Sequence, residues 1–318
     1  MNNNTLTYFQ KEGGINLIKR YWRVGVFHSA IILFFLLGKS KKALELLRLV
    51  VSLKIEQRLS RKYKKALYSF HYDNSLTRKQ SSKIWFFWWQ GLESAPELVS
   101  RCYQSVKENL IGWDLILITK CNYNDYVSFP EHIVQKMNDG TITLTHFSDL
   151  LRLELLITHG GLWLDATVLC TSGNIPKSIL NSDLFVFQAQ KPGADGHATI
   201  MSSWCIYAKT NNKILMATRE LLYKYWEKNT KMDDYFLLHQ FFSIVCQHYP
   251  EDAKRIPPFC NSTPHILLLH LFEQYDSEYW NDLKKMTCFH KLSYKLDDTN
   301  LVNKGTYYHV LITQGMEK

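Results

Sequence analysis

The amino-acid sequence predicts an α/β fold in which helices cover both faces of a parallel β-sheet. The chain has 318 residues, 46% of them hydrophobic and 21% charged, a balance typical of a globular protein with a sizeable core. Between residues 84 and 170, short apolar runs alternate with longer stretches whose apolar residues recur at helical spacing. Strands that alternate with helices form parallel sheets, and such sheets bind ligands beyond the carboxyl ends of their strands.

The alternating region supplies four strands and three helices. The run IWFFWW at 84–89 is apolar and bounded by polar residues, as is typical of a buried strand. Pro96 suits the first turn of a helix and Gly112 the position past its end, while Ser148 suits an N-cap and Gly160 a terminator. We expect strands over 84–89, 114–119, 141–145 and 162–170, and helices over 96–110, 129–138 and 148–158.

The pattern weakens after residue 170. Apolar runs at 184–188 and 204–208 predict two more strands. Helical spacing of apolar residues predicts helices over 213–228 and 235–248. The stretch 291–314 shows no clear period, and we predict no elements there.

The first 75 residues are predicted to be a basic, helical segment ahead of a domain at 80–318. The formal net charge is +9, and most of the excess lies in this segment, where acidic residues are scarce. The apolar run at 24–37 lies between basic flanks and is shorter than the roughly 20 residues that span a bilayer. Such a helix either lies in the interface of an anionic membrane or packs on the following domain. Because 40–70 also predicts a basic helix, we favour peripheral membrane contact.

The cysteines indicate a reducing compartment. There are seven of them, an odd number, and no two form a C-x-x-C pair. This pattern argues against a disulfide framework and against a structural zinc site.

The segment 148–168, SDLLRLELLITHGGLWLDATV, is the most informative in the chain. Asp149 and Arg152 stand three residues apart on a predicted helix and therefore share one face. The Gly160–Gly161 pair allows a tight turn into the next strand. Asp165 then lies in an apolar strand, where a carboxylate is costly to bury without a cation. A divalent metal such as Mg²⁺ or Mn²⁺ would supply that cation.

These residues resemble the sugar-nucleotide glycosyltransferases of the GT-A fold, in particular the capsular polysaccharide synthesis proteins related to glycosyltransferase family 32. The resemblance covers roughly residues 80–296, and the short motif Trp-Leu-Asp-Ala-Thr at 163–167 is its most specific part. It implies a Rossmann-like GT-A domain that transfers a hexose from a nucleotide-diphosphate sugar, such as a UDP-sugar, with retention of configuration. One departure matters: Thr167 stands where the family's Asp-x-Asp motif has its second carboxylate.

The resemblance also implies roles for individual residues. Asp149 and Arg152 would hold hydroxyls of the donor sugar, although a helix-cap and salt-bridge role is an alternative. Burial in the core is an alternative for the tryptophans at the nucleotide strand, and a solvated lysine for Lys291. A surface or core position is an alternative for His290, and a helix N-cap with a buried histidine is one for Asp234 and His239. Residues implied in nucleotide binding are Trp85, Trp88, Gln90, Gly91 and Lys291; in holding Mn²⁺ or Mg²⁺, Asp165, Thr167 and His290; and in acceptor binding or acid–base chemistry, Asp234 and His239.

The partners that the resemblance implies are a nucleotide-sugar donor and an oligosaccharide acceptor on a polyprenyl diphosphate. A basic N-terminus fits such an acceptor at the cytoplasmic, inner face of the cell membrane. Two other functions remain open. One is nucleic-acid binding, which the net charge would fit but for which no known signature is present. The other is a catalytically inactive scaffold in a polysaccharide assembly complex, which Thr167 allows.

Overall fold

The fold combines a six-stranded sheet, a small two-stranded sheet and flanking helices. A computed structural model of the chain describes residues 15–38, 40–189, 201–296 and 301–315. The strands are β1 (Lys83–Phe87), β2 (Asp114–Ile118), β3 (Gly161–Leu164), β4 (Val168–Cys170), β5 (Leu184–Gln188), β6 (Met201–Ala208), β7 (Phe259–Cys260) and β8 (Phe289–Lys291).

Helices account for most of the remaining described chain. Short 3₁₀ turns, a π-helical turn at His309–Thr313 and irregular connections complete it. The α-helices are α1 (Ile15–Arg23), α2 (Phe27–Leu37), α3 (Lys41–Tyr68), α4 (Glu97–Asn109), α5 (Glu131–Asn138), α6 (Leu144–His159), α7 (Lys177–Leu180), α8 (Lys213–Lys228), α9 (Leu237–His248), α10 (Pro250–Ala253), α11 (Ile266–His270) and α12 (Ser277–Met286).

The large sheet is mixed, with the strand order β2-β1-β3-β6-β5-β7. Strand β1 runs parallel to β2 and β3, as the sequence predicts. Strand β6 runs antiparallel to both β3 and β5, so the prediction of a fully parallel sheet is wrong there. The parallel neighbours β1 and β2 are joined by a crossover through α4, whereas adjacent antiparallel strands such as β5 and β6 need no crossover helix.

The predicted strand at 162–170 is interrupted at Asp165. Strand β3 ends at Leu164, and a turn closed by a hydrogen bond from the Val168 amide to the Asp165 carbonyl (3.0 Å) follows it. The chain then enters β4, which pairs with β8 in the separate two-stranded sheet. Asp165 therefore lies at a strand end and not inside an apolar strand.

The helix before this strand begins earlier than predicted. The stretch 141–145 is not a strand: Thr143 is the N-cap of α6, and its hydroxyl accepts a hydrogen bond from the His146 amide. Ser148 lies inside the helix and is not its cap. The two β-branched threonines around Ile142 favour a strand locally, but capping and the packing of the helix override that weak preference.

The N-terminal helices differ in how they contact the rest of the fold. Helix α3 presents buried residues every four positions, among them Ile55 and Tyr63, to the largest core cluster, which also contains Trp226. Helix α2, in contrast, leaves Phe35 80% and Leu36 74% exposed. The predicted boundary near residue 75 falls in the connection between α3 and β1. Among the described helices, none has both the length and the apolar character needed to cross a bilayer.

Candidate active site

Several of the predicted site residues, among them Asp149, Arg152, Asp165 and Lys291, lie together where β1 and β3 end at the same edge of the large sheet. The two strands are parallel neighbours, with Phe86 opposite Leu164. Trp88 follows the end of β1, and Asp165 follows the end of β3. The start of antiparallel β6 reaches the same edge, where the Trp204 carbonyl accepts a hydrogen bond from the Asp165 amide (2.8 Å).

Asp165 is the central carboxylate of this edge, and its side chain is 28% exposed. Its Oδ1 accepts a hydrogen bond from the Trp163 indole (2.9 Å) and lies 3.5 Å from the Arg152 guanidinium. Its Oδ2 lies 3.8 Å from the Lys291 ammonium. Two cations therefore flank one accessible carboxylate, which removes much of the cost of holding it at the sheet edge.

Arg152 anchors Asp165 from helix α6. Its side chain is 5% exposed, and its guanidinium lies 4.9 Å from the Trp163 ring centroid. It donates to the Ser203 carbonyl (2.7 Å) and to both the carbonyl and the hydroxyl of Ser148. Most of its N–H donors thus bind the protein. In this structure Arg152 orients Asp165, and its predicted contact with the sugar stays a prediction.

Asp149 is fixed by a relay of buried hydrogen bonds that the sequence did not reveal. The Trp226 indole, which can only donate, binds His146 Nε2 (2.8 Å), so the ring proton lies on Nδ1 and faces Asp149 Oδ2 (3.3 Å). The other carboxylate oxygen lies 3.3 Å from Arg152. Burial opposes ionisation of Asp149, but Arg152 and the hydrogen bond from His146 hold its pKa below the ordinary value. No spacing rule identifies His146, because its partner Trp226 is 80 residues away.

Lys291 reaches Asp165 from the small sheet. In the β4–β8 ladder Lys291 stands opposite Val168, just past the turn that holds Thr167. Its ammonium donates to the Thr167 hydroxyl (2.5 Å) and to the Leu292 carbonyl (3.1 Å), and its side chain is 18% exposed. The sequence placed Lys291 and Thr167 in one site, and the structure brings them into direct contact.

His290 lies elsewhere, although the sequence predicted it as a metal ligand. Neighbouring strand residues point to opposite faces, so His290 and Lys291 diverge. The His290 ring is buried, stacks obliquely on Trp280 and lies 3.3 Å from the Thr171 hydroxyl. Burial lowers its pKa to about 4. The structure does not bring His290 to Asp165, because its ring is engaged on the other face of β8.

The predicted nucleotide residues divide into buried and accessible ones. Trp85 is fully buried and donates to the Gly160 carbonyl (2.8 Å), so it packs in the core and does not reach the sheet edge. Trp88 is half-buried, its indole N–H has no partner among the described residues, and its ring meets Tyr294 edge-on at 5.4 Å. Gln90 is exposed, and Gly91 closes the turn after β1 with φ of 81°.

A short segment at the start of α9 completes the surroundings of Asp165. Asp234 accepts a hydrogen bond from the Phe236 amide (2.8 Å), and burial raises the pKa of its carboxyl. Burial lowers the pKa of His239 to about 4, against the charges of Asp149 and Asp165, and its Nδ1 is buried without a partner among the described residues. Desolvation and the charges of the same two carboxylates raise the pKa of Tyr235, although its side chain is exposed. Nothing in the sequence pattern pointed to Tyr235, since exposed aromatics are common.

One cavity of the described residues is separate from this site. It has a volume of about 670 Å³ and is lined by Ser172, Phe187, Phe259, Lys284 and Thr287, among others. None of the residues predicted from the sequence lines it. It also lacks a carboxylate, so the charged groups, and not the cavity volume, locate the candidate site.

The donor set around Asp165 does not fit a divalent ion held by the protein. Within the described ranges, no three His, Cys, Asp or Glu side chains come together as a metal site. Both oxygens of Asp149 are engaged, and the Thr167 hydroxyl accepts from Lys291. A divalent cation at Asp165 would also lie beside two positive side chains, which repel it.

Comparison with known proteins agrees with the motif. One curated relative, the O-glycosyltransferase braB of Annulohypoxylon truncatum, is 26% identical over 202 residues, which are 55% of this chain and 45% of that protein. The chain thus spans less than half of that relative's length. The PaToxG glycosyltransferase structure matches 74% of this chain and 92% of its own at 17% identity and a TM-score of 0.37, which is too low to establish a common fold. The family model described as capsular polysaccharide synthesis protein matches residues 39–311, most of the sequence, and the chain therefore belongs to that family.

Proposed function

We propose that this chain is a glycosyltransferase that moves a hexose from a nucleotide-diphosphate sugar, such as a UDP-sugar, to a lipid-linked glycan in capsular or cell-surface polysaccharide synthesis. One observation carries the proposal: an accessible carboxylate, Asp165, lies between two cations where parallel strands end. Such sheet edges bind nucleotides in doubly wound folds. Family membership and the name of the curated relative support the reaction class.

The chemistry assigns a task to each group. The bond between the anomeric carbon and the β-phosphate oxygen breaks, and its electron pair goes to that oxygen. The Lys291 ammonium stabilises the charge that develops on the departing diphosphate. The acceptor hydroxyl bonds to the anomeric carbon, on the same face by resemblance to retaining enzymes, and its proton passes to an oxygen of the departing diphosphate on that face. His239, with a pKa of about 4 and a buried Nδ1, is a weak base, and its predicted acid–base role stays a prediction.

The remaining residues position these groups. Arg152 orients Asp165, and His146 orients Asp149 and therefore Arg152. Trp88 presents a half-buried ring beside Tyr294, and an aromatic face suits a nucleobase. Asp234 holds the start of the helix that carries His239.

The test is release of nucleotide from a panel of UDP- and GDP-sugars by the purified full-length protein. We expect Asp165→Asn to lower the release rate by about 10²-fold, because a preorganised charge at the reacting centre is lost. Asp183→Asn is the matched control, since Asp183 also lies between two cations, Arg78 (2.7 Å) and Lys209 (2.8 Å), outside the site. If Asp165→Asn releases nucleotide at the wild-type rate, Asp165 does not carry the reaction. If the wild type releases nucleotide from no donor, the scaffold function is favoured and the enzymatic proposal is wrong.

We further propose that α1 and α2 hold the protein at the inner face of the cell membrane. The apolar patch, defined as Trp22, Ile32, Phe35 and Leu36, is at least half exposed at every position. Exposed lysines flank it, including Lys19 before and Lys41 after. Large aromatic and aliphatic side chains between basic residues suit the interface of an anionic bilayer.

Replacing Phe35 and Leu36 by serine should weaken binding to anionic phospholipid vesicles by at least about tenfold, since each large apolar side chain contributes about 1.5–3 kcal/mol when buried. Co-sedimentation with vesicles measures the effect. The matched control is Ile111→Ser with Leu269→Ser, because these side chains are 87% and 77% exposed outside the N-terminal helices. Equal losses in both double variants would contradict a specific role for the apolar patch.

A further inference from the structure

The Lys291 ammonium lies between the side chains of Asp165 and Thr167, the first and third residues of the Asp-Ala-Thr motif. It donates to the Thr167 hydroxyl and the Leu292 carbonyl, and it lies 3.8 Å from Asp165 Oδ2. Two of the three N–H donors of the ammonium bind these protein oxygens, and Asp165 at 3.8 Å lies beyond hydrogen-bond distance, so the third N–H is available to a ligand. The β4–β8 pairing fixes this arrangement, because Lys291 is in register with the residue after Thr167.

These contacts explain why a threonine suits position 167. A carboxylate there would leave three carboxylates, with Asp149 and Asp165, against the two cations Arg152 and Lys291, and this net negative charge would repel a diphosphate. The neutral hydroxyl accepts the hydrogen bond and leaves the four charges balanced, so that the Lys291 ammonium can still attract a diphosphate. At 18% exposure the lysine is partly desolvated, which strengthens its field, and it is still reachable by a ligand.

We propose, on the basis of the proposed function, that Lys291 takes the place of a divalent metal ion, so that this chain releases the nucleotide diphosphate without one. In the step, the electron pair of the bond between the anomeric carbon and oxygen passes to the β-phosphate oxygen. The ammonium remains protonated and pairs with that oxygen. No metal enters the step, because the Lys291 ammonium supplies the positive charge that pairs with that oxygen.

The experiment compares nucleotide release from the active donor in EDTA and in Mn²⁺ for the wild type, Lys291→Met and Lys291→Arg. The wild type should work equally well in both, Lys291→Met should fall by about 10²-fold in EDTA, and Lys291→Arg should retain part of the rate. Lys209→Met is the matched control, since Lys209 forms a similar partly buried pair with Asp183. A wild-type rate that collapses in EDTA and returns with Mn²⁺ overturns the inference and leaves the proposed function standing.

A binding measurement keeps the inference testable if Lys291→Met is unstable. Titration of Mn²⁺ into the wild-type protein with UDP or GDP, followed by electron paramagnetic resonance, should show no ion bound beyond that held by the nucleotide alone. Tight Mn²⁺ binding by the protein–nucleotide complex would overturn the inference. If no donor releases nucleotide, in EDTA or in Mn²⁺, the proposed function is wrong, and so is the inference that rests on it.

Discussion

Replacing Arg152 by methionine is expected to lower the free energy of unfolding by about 3–5 kcal/mol and to reduce donor turnover by about 10²–10³-fold. The stability loss arises because Asp149 stays buried and ionised without its strongest partner. The activity loss arises because Asp165 loses the cation at 3.5 Å that orients Oδ1. Urea unfolding and nucleotide release from the active donor measure the two effects.

The control for Arg152 is another arginine that pairs with the same helix. Arg219 lies 3.2 Å from Glu154 on α6, and the Tyr223 hydroxyl also donates to that carboxylate. Arg219→Met should therefore cost less, about 1–3 kcal/mol, because Glu154 keeps one hydrogen bond. Turnover should be unchanged, since Glu154 has no contact with Asp165. If the two variants lose activity in proportion to their stability, Arg152 has no special role at the site.

Sequence reasoning recovered the elements whose local pattern agrees with their environment. The strand at 184–188 and the helix at 213–228 have the predicted bounds, because apolar runs and helical spacing there match complete burial on one side. It failed where tertiary contacts override the local pattern. Thr143 caps a helix although its neighbours favour a strand, and the apolar run 162–170 is cut at Asp165 because β4 pairs with a strand more than 100 residues later.

The candidate site shows the same division. The spacing of Asp149, Arg152 and Asp165 in the sequence predicted that they belong to one site, and the structure brings these residues together. The sequence did not show which side chain of β8 would face Asp165. Side chains alternate between the two faces of a strand, so a shift by one residue exchanges Lys291 and His290. The position of Trp85 was also ambiguous, because an aromatic run at a strand end serves a core as readily as a ligand. Pairing partners distant in sequence, such as His146 and Trp226, have no local signature.

Replacing Gly161 by alanine is expected to cost more than about 4 kcal/mol, or to prevent folding, because a special backbone position and a close approach coincide. Gly161 has φ of 100°, which L side chains rarely adopt, and an added Cβ would lie 2.3 Å from the Lys83 carbonyl oxygen. That oxygen belongs to β1, the parallel neighbour of β3. The clash cannot be relieved by a rotamer change, since the atom it meets is backbone.

Gly140→Ala separates the two contributions to this cost. Gly140 also has a positive φ, 77°, but nothing lies within 4 Å of an added Cβ. Its replacement should therefore cost only about 1–2 kcal/mol, the strain of the left-handed conformation. Equal unfolding free energies for the two variants would show that β1 and β3 can separate. Because Asp165 follows β3 directly, any such separation would also move the carboxylate relative to Trp88, so folded Gly161→Ala should lose nucleotide release while Gly140→Ala keeps it.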